Sequence, residues 1–259
     1  MLENVDRWLE QWRKPVWEAL YRRDEENCRR ELAQAIAGWE MYAATTDERQ
    51  AARLYLDFLQ CQVDESFQAA RDLKRGIVLD AIEQLANPVD SNLARTMQAR
   101  VLLTLRSWAH ILSVYPLQRS EVDRLFAQIP AEDLDHQCVS YLAFWSFAIR
   151  EAHYLQIAYR YFVTQSVDFM VDYSRQRVKV MLALTEGRCT RDDLARLVEL
   201  APHLMHAQWI GRHIAAFCMD SELWDDGLQE QLGNKITELR DTPPQVPPRS
   251  EPEGFVINL

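Results

Sequence analysis

Glycine and proline are scarce through most of this sequence: there are seven glycines and ten prolines in 259 residues, and five of the prolines (Pro243, Pro244, Pro247, Pro248, Pro252) lie beyond residue 240. So little turn punctuation excludes an architecture of many short strands and favours long helices. An alternating apolar and polar period, the mark of a half-buried strand, is missing from the body as well. Positive charge is also short, with 29 Lys and Arg against 39 Asp and Glu and a formal charge of -10. Duplex affinity rests largely on neutralising phosphates, so this balance argues against broad nucleic-acid binding. A basic cluster, Arg22, Arg23, Arg29 and Arg30, is interleaved with Asp24, Glu25, Glu26 and Glu31, as in a solvated ion-paired helix face.

Cysteine offers no framework. Cys28, Cys61, Cys138, Cys189 and Cys218 are odd in number and widely spaced, without a C-x-x-C pair, so they read as buried or idle thiols in a reducing compartment. Long apolar runs are missing too: the longest, near Tyr141 to Ile149, is about half of the roughly 20 residues that span a bilayer, so no membrane span is expected. The opening MLENVDRWLEQWRKP has acids where a signal peptide needs a basic start and an apolar stretch, and the expected address is cytoplasmic. There is no G-x-G-x-x-G, no Walker-type loop, no H-E-x-x-H and no G-x-S-x-G, and two E-x-x-H pairs are not found. No cofactor is expected, and a helical chain without these signatures is more often a binding protein than an enzyme.

What is present is helical periodicity and a concentration of aromatic residues. Between Cys138 and Tyr173 stand Tyr141, Phe144, Trp145, Phe147, Tyr154, Tyr159, Tyr161, Phe162, Phe169 and Tyr173. Aromatics on several faces of a helical period imply burial from several sides, so this stretch is expected at the centre of the molecule. Around it the spacing predicts a short helix over 2–13 broken at Lys14-Pro15, a longer one to Tyr42, and an N-cap at Thr45 to Glu48. There follow a helix over 48–74, a short one from Ile77 to Leu85, and one from Asn92 to Tyr115 capped by Asp90-Ser91. A brief helix starts at the capping-box-like Ser120 and Asp123. Residues 138–153 and 155–184 form two helices or one long bent one. Thr190 restarts the chain, Pro202 opens a helix to Met219, and Ser221 caps the last.

Long helices with short links leave a bundle or an α-solenoid, and stacked antiparallel hairpins over residues 1–240 are the expected all-α fold. Leu142, Trp145, Ser146, Ile149, Ala158 and Phe162 stand at offsets that resemble a tetratricopeptide repeat, with Met170 where that repeat has its terminal proline. Trp108, Ile111 and Tyr115 are similar to the first half of another. The resemblance covers about one repeat, and it implies a concave groove that holds a peptide.

Three constellations invite a function. Glu199, His203, His206 and His213 contain two plausible zinc or iron ligands in His203 and His206, but His213 is about 10 Å further along an α-helix, so no metal site is assigned. His153, flanked by Tyr154 and Tyr161, is a possible buried pocket with a general base, although no nucleophile stands at a matching spacing. The tail over 241–259 is proline-rich, polar and extended, then ends in the apolar GFVINL. Phe255, Val256, Ile257 and Leu259 are therefore read as a docking peptide on a linker. Together these observations lead to the expectation of a non-enzymatic adaptor that binds another protein or peptide. The alternative is a helical enzyme or ligand-binding protein using His153 or the His203 and His206 face.

Overall fold

The computed structural model describes residues 1–40, 45–165, 169–218 and 221–241. Among them the chain forms twelve α-helices and no strand, so the fold is all-α, built of stacked antiparallel helical hairpins. It divides into two compact units, Met1–Cys189 and Thr190–Leu259.

The first unit holds α1 (Glu3–Arg22), α2 (Glu25–Glu40), α3 (Thr46–Phe67), α4 (Arg71–Leu85), α5 (Asn92–Ile111), α6 (Arg119–Phe126), α7 (His136–Ala148), α8 (Ala152–Thr164) and α9 (Phe169–Thr185). Consecutive helices pair, α6 and α7 excepted, and α3, α5, α7 and α9 also pack side by side in one row, with α4, α6 and α8 beside it. The most enclosed element is α5, which touches α3, α4, α6 and α7 and buries thirteen of its twenty residues. Aromatic density pointed instead to 138–173. The reason for the difference is that the small and aliphatic run from Val101 to Leu105 has no polar face to give to water, whereas α7 and α8 each leave one side half exposed. Trp145 and Tyr154 belong to the same core as Met97, Leu103 and Leu105.

Several helix boundaries fall away from their expected places. α1 runs through Pro15, because Val5, Leu9, Val16 and Ala19 on both sides of it are buried on one face. That burial outweighs the lost hydrogen bond of a proline inside a helix. The break comes at Arg23, which adopts a left-handed φ of 58°, and Asp24 then accepts the Asn27 N–H to start α2. The expected helix over 48–74 is divided by the extended residues Gln68 and Ala70. Left-handed Arg150 ends the α7 to α8 turn, where the Ser146 hydroxyl donates to the Glu151 carbonyl. α6 begins from Gln118, not Ser120. The Thr45 and Glu48 capping box and the Ser91 cap stand where the sequence places them.

The second unit holds α10 (Arg191–Glu199), α11 (Leu204–Trp209), which passes directly into a π-helical stretch Ile210–Ala215, and α12 (Asp226–Asp241). Thr190 and Asp193 cap α10 reciprocally. α10 and α11 both pack on α12, and the Gln231 amide donates to the Ala195 carbonyl at 3.2 Å. Asp225 rather than Ser221 caps α12, accepting the Leu228 N–H at 2.8 Å while pairing with Arg191 at 2.7 Å.

Candidate docking cleft

The end of α2, the start of α3 and the link between α4 and α5 enclose a cleft of about 530 Å³ lined by Trp39, Thr46, Arg49, Gln50, Arg53, Leu54 and Val89. Its geometry starts at Gly38. A Cβ there would lie 3.0 Å from the Trp12 ring, so any larger residue would have to push that ring aside by a few tenths of an ångström. The next residue, Trp39, is fixed by its indole N–H, which donates to the Arg49 carbonyl at 2.8 Å. Arg53 lies 5.7 Å from the Trp39 ring centre and pairs with Asp57 one turn on at 2.9 Å. Such a cation over an indole face is an ordinary aromatic recognition element. The cleft is apolar in its lining, with guanidinium groups at its edge.

The residues singled out in the sequence are not brought together. Tyr154 is buried, edge-on to Phe126 and Trp145, and its hydroxyl donates to Asp123. Burial, then that hydrogen bond, raises its pKa. His153 is exposed, its ring 4.9 Å from that of Tyr154, which removes the buried base. It begins α8 on the side turned away from the core. Tyr161, two turns further along α8, is half-buried near Asp135, Arg13, Cys138 and Arg100, and burial raises its pKa as well. These three residues therefore do not line one pocket.

The neighbourhood of Tyr161 is a buried charge network. Arg100, 1% exposed, holds Asp6 with two hydrogen bonds of 2.8 and 2.5 Å and donates to the Asp133 carbonyl at 2.9 Å. Asp135 caps α7 through the Cys138 N–H at 2.7 Å and lies 3.5 Å from Arg13 and 3.8 Å from Arg100. Desolvation pulls both guanidinium groups down, but the surrounding acids and Tyr55 outweigh it, and both stay above their ordinary value. Permanently charged groups of this kind hold helices together and do not move protons.

His203 and His206 do meet, with ring centres 5.5 Å apart, and burial lowers the pKa of His203. His213 instead stacks on Trp209 at 5.3 Å. Among the described residues no three His, Cys, Asp or Glu side chains gather so as to hold a metal ion. All five cysteines are buried and outside any disulfide, and burial pushes the Cys61 and Cys138 thiols up to about 12 and Cys28 to about 11, out of reach of a thiolate at neutral pH. No helix among the described residues is long and apolar enough to cross a membrane. Phe255, Val256, Ile257 and Leu259, with the rest of the tail after Asp241, lie outside the described residues.

No motif in the sequence singles out Trp39, Arg49 or Arg53. Trp39 lies on α2 and Arg53 on α3, and no spacing within one helix pairs them. Compared with models of known protein families, with curated proteins and with solved structures, the chain matches none.

Proposed function

We propose that this chain is a non-enzymatic adaptor that holds an extended segment of a partner protein on its helical surface and presents its own C-terminal apolar segment to a second partner. The carrying observation is the cleft at Trp39: an apolar lining edged by Arg49 and Arg53 on a chain whose formal charge is -10. Local charge opposite to the global charge selects the occupant. A segment placing one apolar side chain against Trp39, Leu54 and Val89, with an acidic residue beside it for the arginines, meets both demands. The resemblance of the α7 and α8 hairpin to a tetratricopeptide repeat supports a peptide-holding role of the same kind. Phe255, Val256, Ile257 and Leu259 supply the second contact in this reading, because an apolar hexamer after a proline-rich spacer gains most by docking.

Affinity capture with the intact chain, with Trp39→Ala and with residues 253–259 deleted separates the two contacts. Each variant is expected to lose a different set of partners; the tail deletion should leave the melting temperature within about 3 °C of the parent, and Trp39→Ala, which also loses core packing and the bond to the Arg49 carbonyl, is read at a temperature where it stays folded. Retention of every partner by both variants would overturn the proposal.

A further inference from the structure

The helices of the first unit bury three arginines, and two of them have a carboxylate. Arg100 is held by Asp6, and Arg106 by Glu121, whose carboxylate also accepts from Tyr115. The third, Arg177 on α9, is 5% exposed and forms no ion pair with any described residue. Its guanidinium lies 4.4 Å from the ring centre of Phe144 and 5.2 Å from that of Tyr173, and Nη2 donates to the Ser140 hydroxyl at 3.2 Å. That is one hydrogen bond for five donors. Nε has no acceptor, a property it shares with Nε of Arg100 and Arg106, so what sets Arg177 apart is the counter-charge. Nη1 is not bonded either, and unlike Nε it is not shut off from solvent.

The surroundings repeat the same bias. His136, Ser140 and Phe144 recur every four residues on α7 and share the side that meets Tyr173, Ser174 and Arg177 of α9. His136 and Ser174 are 3.2 Å apart. The acids nearest in sequence are engaged elsewhere: Asp172 with Arg175 at 3.4 Å, and Asp135 with the α7 N-terminus, Arg13 and Arg100. From Phe144 a row of half-buried aromatics leads away, through Tyr141 at 6.0 Å to Trp108 at 6.4 Å between ring centres. Burying a cation without an opposite charge is strongly unfavourable, and ring faces return only part of the loss.

We infer that the seam between α7 and α9 binds a monoanionic carboxylate with an apolar or aromatic body, its carboxylate on Arg177 beside Ser140 and its body along Phe144, Tyr141 and Trp108. One cation calls for one negative charge. The fork of a guanidinium matches a planar carboxylate with two parallel hydrogen bonds, and the rings of Phe144 and Tyr173 beside it favour an apolar body over a phosphate dianion. The site stands apart from the Trp39 cleft and does not depend on it.

Titration calorimetry of the full chain with phenylacetate, 3-phenylpropionate, phenylacetamide, inorganic phosphate and the capped dipeptide acetyl-Glu-Phe-amide tests this. The free phenyl carboxylates or the capped dipeptide are expected to bind saturably, and which of the two sources binds tighter identifies the natural one; phenylacetamide and phosphate are expected to bind at least tenfold more weakly. Arg177→Gln should abolish binding without lowering the melting temperature, because it removes a buried charge that has no opposite charge beside it. Ser140→Ala, which keeps that charge, should weaken binding several-fold and stands in if Arg177→Gln does not fold. No binding of any carboxylate, equal binding of the amide or phosphate, or undiminished binding by Arg177→Gln or Ser140→Ala would overturn the inference.

Discussion

Arg100 and Arg177 sit on their helices in the same way, each a charge set into a largely apolar stripe. Arg100 stands between Met97 and Val101, and Arg177 between Tyr173 and Met181. A stripe interrupted by arginine is legible in a sequence, and it marks a buried cation. What no spacing discloses is the partner, because Asp6 lies 94 residues from Arg100 and reaches it only through the fold. Replacing Arg100 by Gln leaves Asp6, Asp135 and the Asp133 carbonyl gathered without their cation, and a stability loss of about 3–5 kcal/mol is expected. Arg7→Gln, which breaks the exposed pair with Glu3, should cost less than about 1 kcal/mol. Urea unfolding of the two variants side by side measures the contrast, and comparable losses would show that burial is not what gives the Arg100 pair its weight.

Element boundaries show where local signals suffice. The caps at Thr45, Ser91 and Thr190 were readable because each is a hydroxyl whose partner lies three residues on. Pro15, Ser120 and Ser221 misled for the opposite reason: a nearby element had a stronger claim. Packing carries α1 through Pro15. Asp123, expected to complete a box with Ser120, instead accepts from Tyr154, while Asp225 has a better position than Ser221 for both the α12 N–H and Arg191. Gln68 to Ala70 and Ile149 to Glu151 carry no glycine or proline, and those breaks are imposed by the helices on either side. If α1 tolerates Pro15 only because its flanks are buried, Pro15→Ala should restore a helix hydrogen bond. The expected gain is about 1–3 kcal/mol, read from the urea midpoint. A loss would mean that the proline sets a bend on which α2 depends.

At the scale of the whole chain, the all-α class and the stacked hairpins were legible because nothing competes with helical periodicity, whereas the division at Cys189 was not, since no linker composition marks it. The two units should also respond differently to acid. Burial holds folded His203 below its ordinary value of 6.5, and burial with Arg212 does the same for His213. Below about pH 6.5 the unfolded chain therefore takes up protons that the folded second unit resists. Stability is whole above that pH and declines as the pH falls through the folded values. In the first unit Glu48 is held below 4.5 by the Thr45 N–H, so its share is lost only in stronger acid. Thermal unfolding at pH 7.5, 6.0 and 5.0 should show the second unit weakening first, and His203→Gln with His213→Gln should flatten that decline. Identical pH profiles for parent and double variant would refute the assignment. The same unit contains the π-helical stretch Ile210–Ala215, which advances through a smaller angle per residue than the turns before it. Ala207, Ile210, Ile214 and Cys218 nevertheless all stay buried, so the wider turn is taken up without rotating the apolar stripe out of the interior. Excision of one residue there would re-phase the remainder, swinging Ile214 and Cys218 out of the interior, so this segment should tolerate exchanges of residue far better than changes of length.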